Sequence, residues 1–356
     1  MKYNKYLDNI TIYKNRYRDE LKDINSPLYH KLDWNESSQM PYSKVKDILI
    51  EEFKNLDINY YPDTNARLLI SKLASYNKIP DESILVYNGS DAALKNIFDT
   101  FLNVGSKVFV LGPTYTQIDT FIISNGAKII SHVPKVIWNV NILDELVEPL
   151  GISNADIVYI NNPNNPTGVL YNIKSIGKLA KMYKSKLFII DEAYYEFCGE
   201  TSIDLIELGN IILVRTFSKA LGLAGLRLGY TISSDAINRL LSLIRNGKEV
   251  NSFAQRAGIV VLDNIESIRE SIKNTISTRN WFCKVISDLG IKVYNTNGNY
   301  VVIRHQKYKE IIKNLFESNI IIRDRSTLPQ MHDCIRITIG SRNQMEIVLN
   351  LIRNII

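Results

Sequence analysis

The sequence predicts an α/β protein, because short apolar strand patterns alternate with helical patterns from about residue 45 to residue 245. Polar or glycine-containing segments follow several of these strands, and α/β folds bind ligands at the carboxyl ends of parallel strands. Functional side chains are therefore expected in those segments. The predicted strands are 84–87, 107–111, 127–133, 156–160, 186–190, 210–214 and 228–232, and the predicted helices are 45–56, 92–102, 116–125 and 235–245.

The composition is that of an ordinary globular chain, with 356 residues, 45% hydrophobic and 22% charged. The net charge is +6, but lysines and arginines are interleaved with acids, so no nucleic-acid partner is expected. Cys198, Cys283 and Cys334 lack metal-ligand spacing, which predicts a reduced compartment and no metal site. The polar N-terminus and the lack of any run of about 18 apolar residues predict a cytoplasmic protein without a membrane span.

The pattern changes after about residue 250 and predicts a smaller α+β domain. Strands at 300–304, 320–323 and 334–339 alternate there with helices at 253–264, 267–289, 308–317 and 343–355. We therefore divide the chain into an N-terminal segment (1–40) that packs with the small domain, a large domain (41–245) and a small domain (246–356).

The most informative stretch runs from Val214 to Tyr230 and contains Lys219 among apolar, small and hydroxyl residues. A lysine in such a pocket is costly to keep charged, so its pKa should fall and its neutral amine should become nucleophilic. The hydroxyls of Thr216 and Ser218 and the guanidinium of Arg227 suit a phosphate dianion. An amine beside a phosphate site is what pyridoxal 5'-phosphate requires. Taken by itself, a lysine at a strand end is more often a solvated surface group, so this interpretation needs partners.

Candidate partners follow other predicted strands. Asp191 directly follows an apolar run, and a buried carboxylate needs a partner, such as a protonated pyridine nitrogen or a helix N-terminus. Residues 161–168 contain two Asn-Pro steps and predict a rigid non-helical loop. Residues 88–91 form a glycine turn before a helix, which is typical of a phosphate-binding site or of a plain helix cap. Arg336 lies in an apolar strand, where a buried guanidinium needs an anionic ligand or an internal ion pair.

Two sequence motifs are specific enough to indicate a family: S-K-A-x-x-L-A-G-L-R-x-G at 218–229 and N-P-N-N-P-T-G at 162–168. With them the chain resembles the fold type I pyridoxal-phosphate aminotransferases, and most of all the histidinol-phosphate aminotransferase group, over nearly its whole length. The resemblance implies a large domain with a mostly parallel seven-stranded sheet between helices, plus the smaller α+β domain. It also implies pyridoxal 5'-phosphate as cofactor, a homodimer with a shared active site, small-molecule amino acid and keto substrates, and a place in amino acid biosynthesis.

The resemblance also implies roles for individual residues. Lys219 would hold the cofactor and act as acid and base, Asp191 would pair with the ring nitrogen, and Tyr194 would reach the ring oxygen. Arg336 would clamp the substrate carboxylate, and Arg323, thirteen residues earlier, would contact a substrate phosphate, with Arg325 as a second candidate. The implied cofactor-binding residues are Gly89, Ser90, Asp91, Tyr115 (stacked on the ring), Asn165 (donating to the ring oxygen), Asp191, Tyr194, Thr216, Ser218, Lys219, Arg227 and Tyr61 of the partner subunit.

The segment from Leu32 to Glu36 is implied to cross the active-site mouth, where the backbone at Asn35 would help to hold the substrate. A plain loop is the alternative. The family's usual Asn-Pro-Tyr-Gly continuation is replaced here by Ser37-Ser38-Gln39-Met40. This departure bears on the identity of the substrate.

We therefore predict a transaminase (EC 2.6.1 type) that moves an amino group between an amino acid, with glutamate as the expected donor, and a phosphorylated keto compound. The alternative is a decarboxylase of a phosphorylated amino acid of the phosphothreonine or phosphoserine type, because the same motifs serve both reactions. A non-catalytic binding protein on this fold would be expected to lack Lys219 or Asp191, and both are present.

Overall fold

The computed structural model describes residues 1–11, 18, 21, 28–38, 45–141, 143–294 and 296–356. Gln39 and Met40 of the altered continuation lie outside the described residues. The strands are β1 (His30–Lys31), β2 (Ile84–Tyr87), β3 (Lys107–Leu111), β4 (Lys128–His132), β5 (Ile157–Asn161), β6 (Leu187–Asp191), β7 (Ile211–Thr216), β8 (Gly229–Ser233), β9 (Lys292–Tyr294), β10 (Tyr300–Arg304), β11 (Ile320–Ile321), β12 (Arg323–Asp324) and β13 (Cys334–Thr338).

The large sheet has the order β2-β8-β7-β6-β5-β3-β4. Its strands are parallel except β8, which runs antiparallel to both β7 and β2. Strands β5, β7 and β8 are buried along their whole length, and this explains the nearly continuous apolar sequences of β5 and β7. The predicted mostly parallel seven-stranded sheet is confirmed.

The helices around the two sheets largely match the predicted ones. Each predicted helix begins and ends within three residues of the corresponding helix in the structure. Three further helices, Arg67–Asn77, Leu143–Ile152 and Ile173–Met182, were not predicted. The α-helices in the described residues are Lys46–Lys54, Arg67–Asn77, Ser90–Phe101, Gln117–Ser124, Leu143–Ile152, Ile173–Met182, Asp235–Ser242, Ser252–Asp263, Ile265–Asp288, Tyr308–Glu317 and Arg342–Arg353. Within the described part of the chain, no helix has both the length and the apolar character needed to cross a membrane.

The second sheet is antiparallel, with the order β12-β13-β10-β9. Its core contains Leu32 together with side chains between Phe282 and Ile352. The predicted strand 320–323 is in fact two short strands, because β11 pairs with β1 whereas β12 pairs with β13. The pairing of β1 with β11 brings the segment after residue 31 to the second sheet. The predicted domain limits at residues 40 and 245 stay predictions.

Candidate active site

A cavity of about 480 Å³ lies at the carboxyl ends of β5, β6 and β7. Its walls come from both sheets and from the segment that follows β1. The structure therefore gathers residues that are more than 240 positions apart in the sequence. The predicted residues that line the cavity are Ser90, Asp91, Tyr115, Asn165, Asp191, Tyr194, Thr216, Ser218, Lys219, Arg227, Arg323 and Arg336, and Arg325 lines it as well.

Lys219 lies in the turn that follows β7. The turn is fixed because Ser218 N donates to Thr216 Oγ1 at 3.1 Å and the Phe217 side chain is fully buried. Lys219 is half-buried, and its Nζ donates to the carbonyl oxygen of Trp34 at 2.7 Å. Burial, with a smaller contribution from the Arg336 guanidinium, lowers the pKa of Lys219 to about 8. A substantial fraction of this amine is therefore neutral near physiological pH.

Asp191 is the last residue of β6 and is 4% exposed. Its two carboxylate oxygens accept hydrogen bonds from the Tyr159 hydroxyl at 2.8 Å and from Ala193 N at 3.1 Å. Burial raises the pKa of Asp191 to about 6, because two neutral donors do not compensate fully for lost hydration. A cation in the cavity, such as a protonated pyridine nitrogen, would suit this carboxylate.

Tyr194 lines the cavity, whereas the side chain of Asn35 lies behind it. Asn35 is fully buried, has a φ of 55°, and donates from Nδ2 to the Tyr194 hydroxyl at 2.9 Å. Its backbone N–H donates to Thr338 Oγ1 at 3.0 Å, and its carbonyl accepts from Asn299 Nδ2 at 3.0 Å. Asn35 therefore orients the Tyr194 hydroxyl. Its contact with a substrate stays a prediction.

The other end of the cavity has the features of a phosphate site. The helix Ser90–Phe101 begins there, and Gly89 precedes it with a φ of 87°. Gly89 does not line the cavity, but its positive φ strains any residue with a side chain, so this turn favours glycine. Arg227 donates from Nη1 to Ser218 Oγ at 3.3 Å and from Nη2 to Asp91 Oδ2 at 3.4 Å. Hydroxyls, helix N–H groups and a guanidinium thus converge on one place, as a phosphate dianion requires.

Tyr115 stands beside this phosphate-binding end. Its hydroxyl donates to Asp91 Oδ1 at 2.8 Å, and burial raises its pKa, so the phenol stays protonated. The bond fixes the ring as one wall of the cavity. A ring in this position is available to stack on a planar cofactor, and this contact stays a prediction.

Arg336 lies on β13 at the opposite end and is 2% exposed. It donates from Nη1 to Asn165 Oδ1 at 2.5 Å and from Nη2 to the Asp33 carbonyl. Its buried Nε has no hydrogen-bond partner among the described residues. Burial lowers the pKa of Arg336. Arg323 on β12 is paired with Arg336 in the antiparallel register, and both residues line the cavity, so this wall carries two positive charges.

Tyr61 is outside this cavity in the single chain. It is 78% exposed, and Lys248 Nζ lies 4.4 Å from the centre of its ring. Its predicted position in a partner subunit's site stays a prediction.

Several lining residues were not predicted. Thr114 and Thr116 flank Tyr115, and Asn161 ends β5. The expectation that ligands bind at the carboxyl ends of parallel strands could therefore have indicated them. Trp34 and Glu36 belong to the segment Leu32–Glu36, which the resemblance implied would cross the active-site mouth, but neither was named as a site residue. The lining residues that were missed are Trp34, Glu36, Thr114, Thr116, Gln117, Asn161, Ala193, Ala224 and Gly225.

The residues present fit pyridoxal 5'-phosphate. The buried Asp191 suits the ring nitrogen, the converging donors around Ser90 and Arg227 suit the phosphate, and Lys219 lies between them and Arg336 with a lowered pKa. The Arg227 guanidinium also lies close to the backbone at Gly89, so the guanidinium and the start of the helix Ser90–Phe101 face the same place.

Comparison with known proteins agrees with this site. Residues 29–352 match the family model for aminotransferase class I and II, and the chain belongs to that family. It is 32% identical to the histidinol-phosphate aminotransferase of Ruminiclostridium cellulolyticum, over 91% of this chain and 92% of the relative. It is 34% identical to a dihydroxyacetone phosphate transaminase of Campylobacter jejuni, over 91% of this chain and 89% of the relative.

A solved structure of histidinol-phosphate aminotransferase from Sinorhizobium meliloti, in complex with pyridoxal-5'-phosphate, superimposes with a TM-score of 0.88. It is 22% identical and the match covers 100% of this chain and 98% of that one, so this likeness shows the shared fold alone. The predicted fold, the pyridoxal 5'-phosphate cofactor and the transaminase class are confirmed. The protein is an aminotransferase similar to histidinol-phosphate aminotransferases, and the decarboxylase alternative is not better supported.

Proposed function

We propose that the protein transfers an amino group between an α-amino acid, with glutamate as the donor, and a phosphorylated keto compound. The observation that carries the substrate class is the cross-strand pair of Arg323 and Arg336 at one wall of the cavity. Two guanidinium groups in one cavity wall suit an anionic ligand such as a carboxylate or a phosphate. The names of both curated relatives contain a phosphorylated substrate, which supports the same class.

In this proposal Lys219 holds the cofactor, Asp191 faces its ring nitrogen and Tyr115 stacks on its ring. Asn165 and Tyr194 would face the ring oxygen. Ser90, Asp91, Thr216, Ser218 and Arg227 would surround the phosphate. When bound, pyridoxal 5'-phosphate serves as an electron sink for the negative charge that develops at the reacting carbon of the substrate. The ionised Asp191 carboxylate stabilises the protonated ring nitrogen on which this property depends.

Lys219 Nζ is the group that moves the proton. Its pKa of about 8 leaves a usable fraction of neutral amine, which can take a proton from the amino-bearing carbon of the substrate. The same nitrogen, once protonated, can return the proton at a neighbouring position. Tyr194, which is fixed by Asn35 at 2.9 Å, keeps a hydroxyl beside the reacting centre.

Arg336 would orient the amino acid through its carboxylate. The guanidinium is held by Asn165 and by the Asp33 carbonyl, and its buried Nε is left for an additional acceptor. A carboxylate accepts such charge-assisted hydrogen bonds strongly. Arg323 would then contact the phosphate of the second substrate.

A panel of amino acceptors tests the proposal. The holoenzyme is incubated with glutamate and each of several phosphorylated ketones, and 2-oxoglutarate and carbon dioxide are both measured. We expect 2-oxoglutarate with at least one phosphorylated ketone, little with the dephosphorylated compound, and none with Lys219→Ala. Release of carbon dioxide from phosphothreonine or phosphoserine without amino transfer would contradict the proposal.

We also propose a homodimer in which Tyr61 of the partner subunit completes the site. Large apolar side chains are exposed around the two neighbouring segments 48–68 and 243–248, and contiguous exposed apolar surface is typical of an interface. The segments are adjacent because Arg245 Nη2 donates to the Thr64 carbonyl at 3.3 Å. The exposed side chains are Ile48, Ile50, Ile58, Tyr60, Tyr61, Leu68, Leu243 and Ile244.

Mixing inactive variants tests the shared site. After subunit exchange between Lys219→Ala and Tyr61→Ala proteins, each hybrid dimer holds one intact site, so about a quarter of all sites should be restored. The control mixture of Lys219→Ala with Asp191→Asn should regain nothing, because both residues belong to the same chain's site. A monomer in light scattering would contradict the dimer. The predicted cytoplasmic location stays a prediction.

A further inference from the structure

Tyr300 does not line the cavity, but its ring contacts two residues that do, Arg336 and Tyr194. It is the first residue of β10 and its side chain is fully buried. In the antiparallel pairing of β10 with β13, Tyr300 is opposite Thr338, so Arg336 is its diagonal neighbour on the same face. Long and aromatic side chains reach each other at such positions. The Cζ atom of Arg336 lies over the Tyr300 ring, 5.4 Å from its centre.

The Tyr300 ring is fixed from two further directions. Its hydroxyl donates to the Asn164 carbonyl at 2.6 Å, in the loop 161–168 that follows β5. Asn164 is itself held, because its Nδ2 donates to the Pro113 carbonyl at 2.9 Å. The ring of Tyr194 meets the Tyr300 ring edge to face, with the centres 5.4 Å apart, which is a favourable arrangement. The ring therefore has one defined position between the second sheet and this loop.

The guanidinium of Arg336 is held by neutral acceptors. These are Asn165 Oδ1 and the Asp33 carbonyl, while the Asp33 carboxylate is bound by two nitrogens of Arg18. A buried charge needs compensation, and the face of an aromatic ring within about 6 Å attracts a guanidinium without supplying a negative charge. A carboxylate in the place of Tyr300 would compete with the carboxylate of a substrate. The ring face therefore stabilises Arg336 and leaves its charge available to a ligand.

We propose that Tyr300 is a positioning residue for the substrate carboxylate, because its ring face holds the Arg336 guanidinium at the cavity wall. This inference rests on the proposed function, in which Arg336 orients the amino acid. The hydroxyl of Tyr300 has a supporting part, since its bond to the Asn164 carbonyl fixes the ring. Without the ring, the space opened beside Arg336 is not refilled completely, and the guanidinium can turn away from the cavity.

The test measures how tightly the holoenzyme binds glutarate, which has both carboxylates of glutamate but no amino group to transfer. Calorimetry gives the Kd without any turnover. Tyr300→Leu removes the ring face, and we expect the Kd to rise by about tenfold or more, as the loss of a desolvated cation–π contact predicts. Tyr300→Phe keeps the ring and should keep most of the affinity. Equal losses of affinity in Tyr300→Phe and Tyr300→Leu would overturn the role of the ring face.

Phe282→Leu is the matched control. Phe282 is another fully buried ring, in the core of the second sheet, and it does not line the cavity. This variant should melt at a lower temperature, as Tyr300→Leu does, but its Kd for glutarate should stay at the wild-type value. If Tyr300→Leu does not fold, Tyr300→Met, with a flexible side chain that fills irregular space, replaces it. A rise in Kd as large in Phe282→Leu as in the Tyr300 variant would count against the proposal.

A double-mutant cycle separates positioning from a general effect on structure. Tyr300→Leu is combined with Arg336→Gln, and kcat/KM for glutamate is measured for the wild type, both single variants and the double variant. If Tyr300 acts through Arg336, the loss caused by Tyr300→Leu should largely disappear when Arg336 is already replaced. The same loss in both backgrounds would refute the positioning role.

The outcomes also distinguish this inference from the proposed function. If Arg336→Gln leaves the Kd for glutarate unchanged, the proposed role of Arg336 fails and the role of Tyr300 fails with it. If Arg336→Gln weakens binding and the ring-free Tyr300 variant does not, the role of Tyr300 is refuted while the proposed function stands.

Discussion

Replacing Asp191 with asparagine should stabilise the cofactor-free protein and impair the enzyme. The carboxylate is 4% exposed and receives two neutral hydrogen bonds, from Tyr159 and from Ala193 N. Asparagine has nearly the same shape. Its oxygen can accept from Ala193 N, and its amide group can donate to the Tyr159 hydroxyl. The substitution therefore removes a buried charge without opening a cavity.

The size of the effect follows from the pKa of Asp191, which burial raises from 3.8 to about 6. Because the folded protein holds this proton more tightly than the unfolded chain, the wild type loses stability as the pH rises from about 4 to about 6. The loss reaches about 3 kcal/mol above pH 7, at 1.36 kcal/mol per pH unit. Near pH 4.5 it is only about 1 kcal/mol. Asparagine carries no charge at either pH, so the variant does not share this loss.

The measurement is urea unfolding of cofactor-free wild type and Asp191→Asn at pH 4.5 and pH 8. We expect the variant to be more stable at pH 8 by up to about 3 kcal/mol, with a difference near 1 kcal/mol at pH 4.5. Asp204→Asn, at an exposed position, is the control and should behave like the wild type at both pH values. With cofactor, the variant should lose about 100-fold or more in kcat/KM. Equal stability of variant and wild type at pH 8 would refute the reasoning about this buried charge.

Two further predictions concern buried arginines. Arg336→Gln should lower kcat/KM for glutamate by about 100-fold or more, because a charge-assisted clamp on the carboxylate is lost. Arg304→Gln, outside the cavity, should leave kcat/KM unchanged. Steady-state kinetics measure both variants, and an unchanged kcat/KM for Arg336→Gln would contradict the role of Arg336. Arg215→Met should lower the free energy of unfolding by about 3–5 kcal/mol, because it leaves Glu192 buried without the guanidinium that lies 2.8 Å away. Arg239→Met, which breaks an exposed ion pair, should change the free energy of unfolding little. Urea unfolding measures the stability of both variants, and similar losses of stability would argue against a special contribution of the buried Arg215–Glu192 pair.

The ends of the central strands β5, β6 and β7 of the large sheet were predictable because these strands are almost completely buried. Such strands appear as continuous apolar runs, and their last residues lie at the ligand-binding edge. Strands β2 and β3 have the predicted bounds, and Asp191 is the final residue of β6. The direction of β8 could not be predicted from its own residues, because hydrophobic runs do not specify strand orientation.

Two of the three helices that were missed lack a clear local signal at an end or in the interior. The helix Arg67–Asn77 follows Ala66, which has a φ of 45° and provides no side-chain cap. The helix Leu143–Ile152 contains Pro149, which normally disfavours a helical prediction. The helix Ile173–Met182 is different, since Asn172 caps it and accepts from Lys174 N at 2.9 Å. That cap could have been recognised.

The parts of the site that were not predictable depend on contacts between distant segments. The position of the segment Leu32–Glu36 at the cavity was implied only by the family resemblance, because it depends on the pairing of β1 with β11 and on the contact of Asn35 with Thr338, which is 303 positions away in the sequence. Tyr159 was also missed as the donor to Asp191, because its hydroxyl reaches across from the neighbouring strand β5. Local patterns carry no information on such pairings.

The most direct test of the account is to locate the covalent attachment of the cofactor. The holoenzyme is reduced with borohydride, which makes the bond between the cofactor and its lysine permanent, and digested peptides are sequenced by mass spectrometry. We expect the pyridoxyl group on Lys219 and on no other lysine, and none in Lys219→Ala treated in the same way. A modified lysine elsewhere, or an unmodified Lys219 in active enzyme, would contradict the assignment of this residue as the catalytic amine.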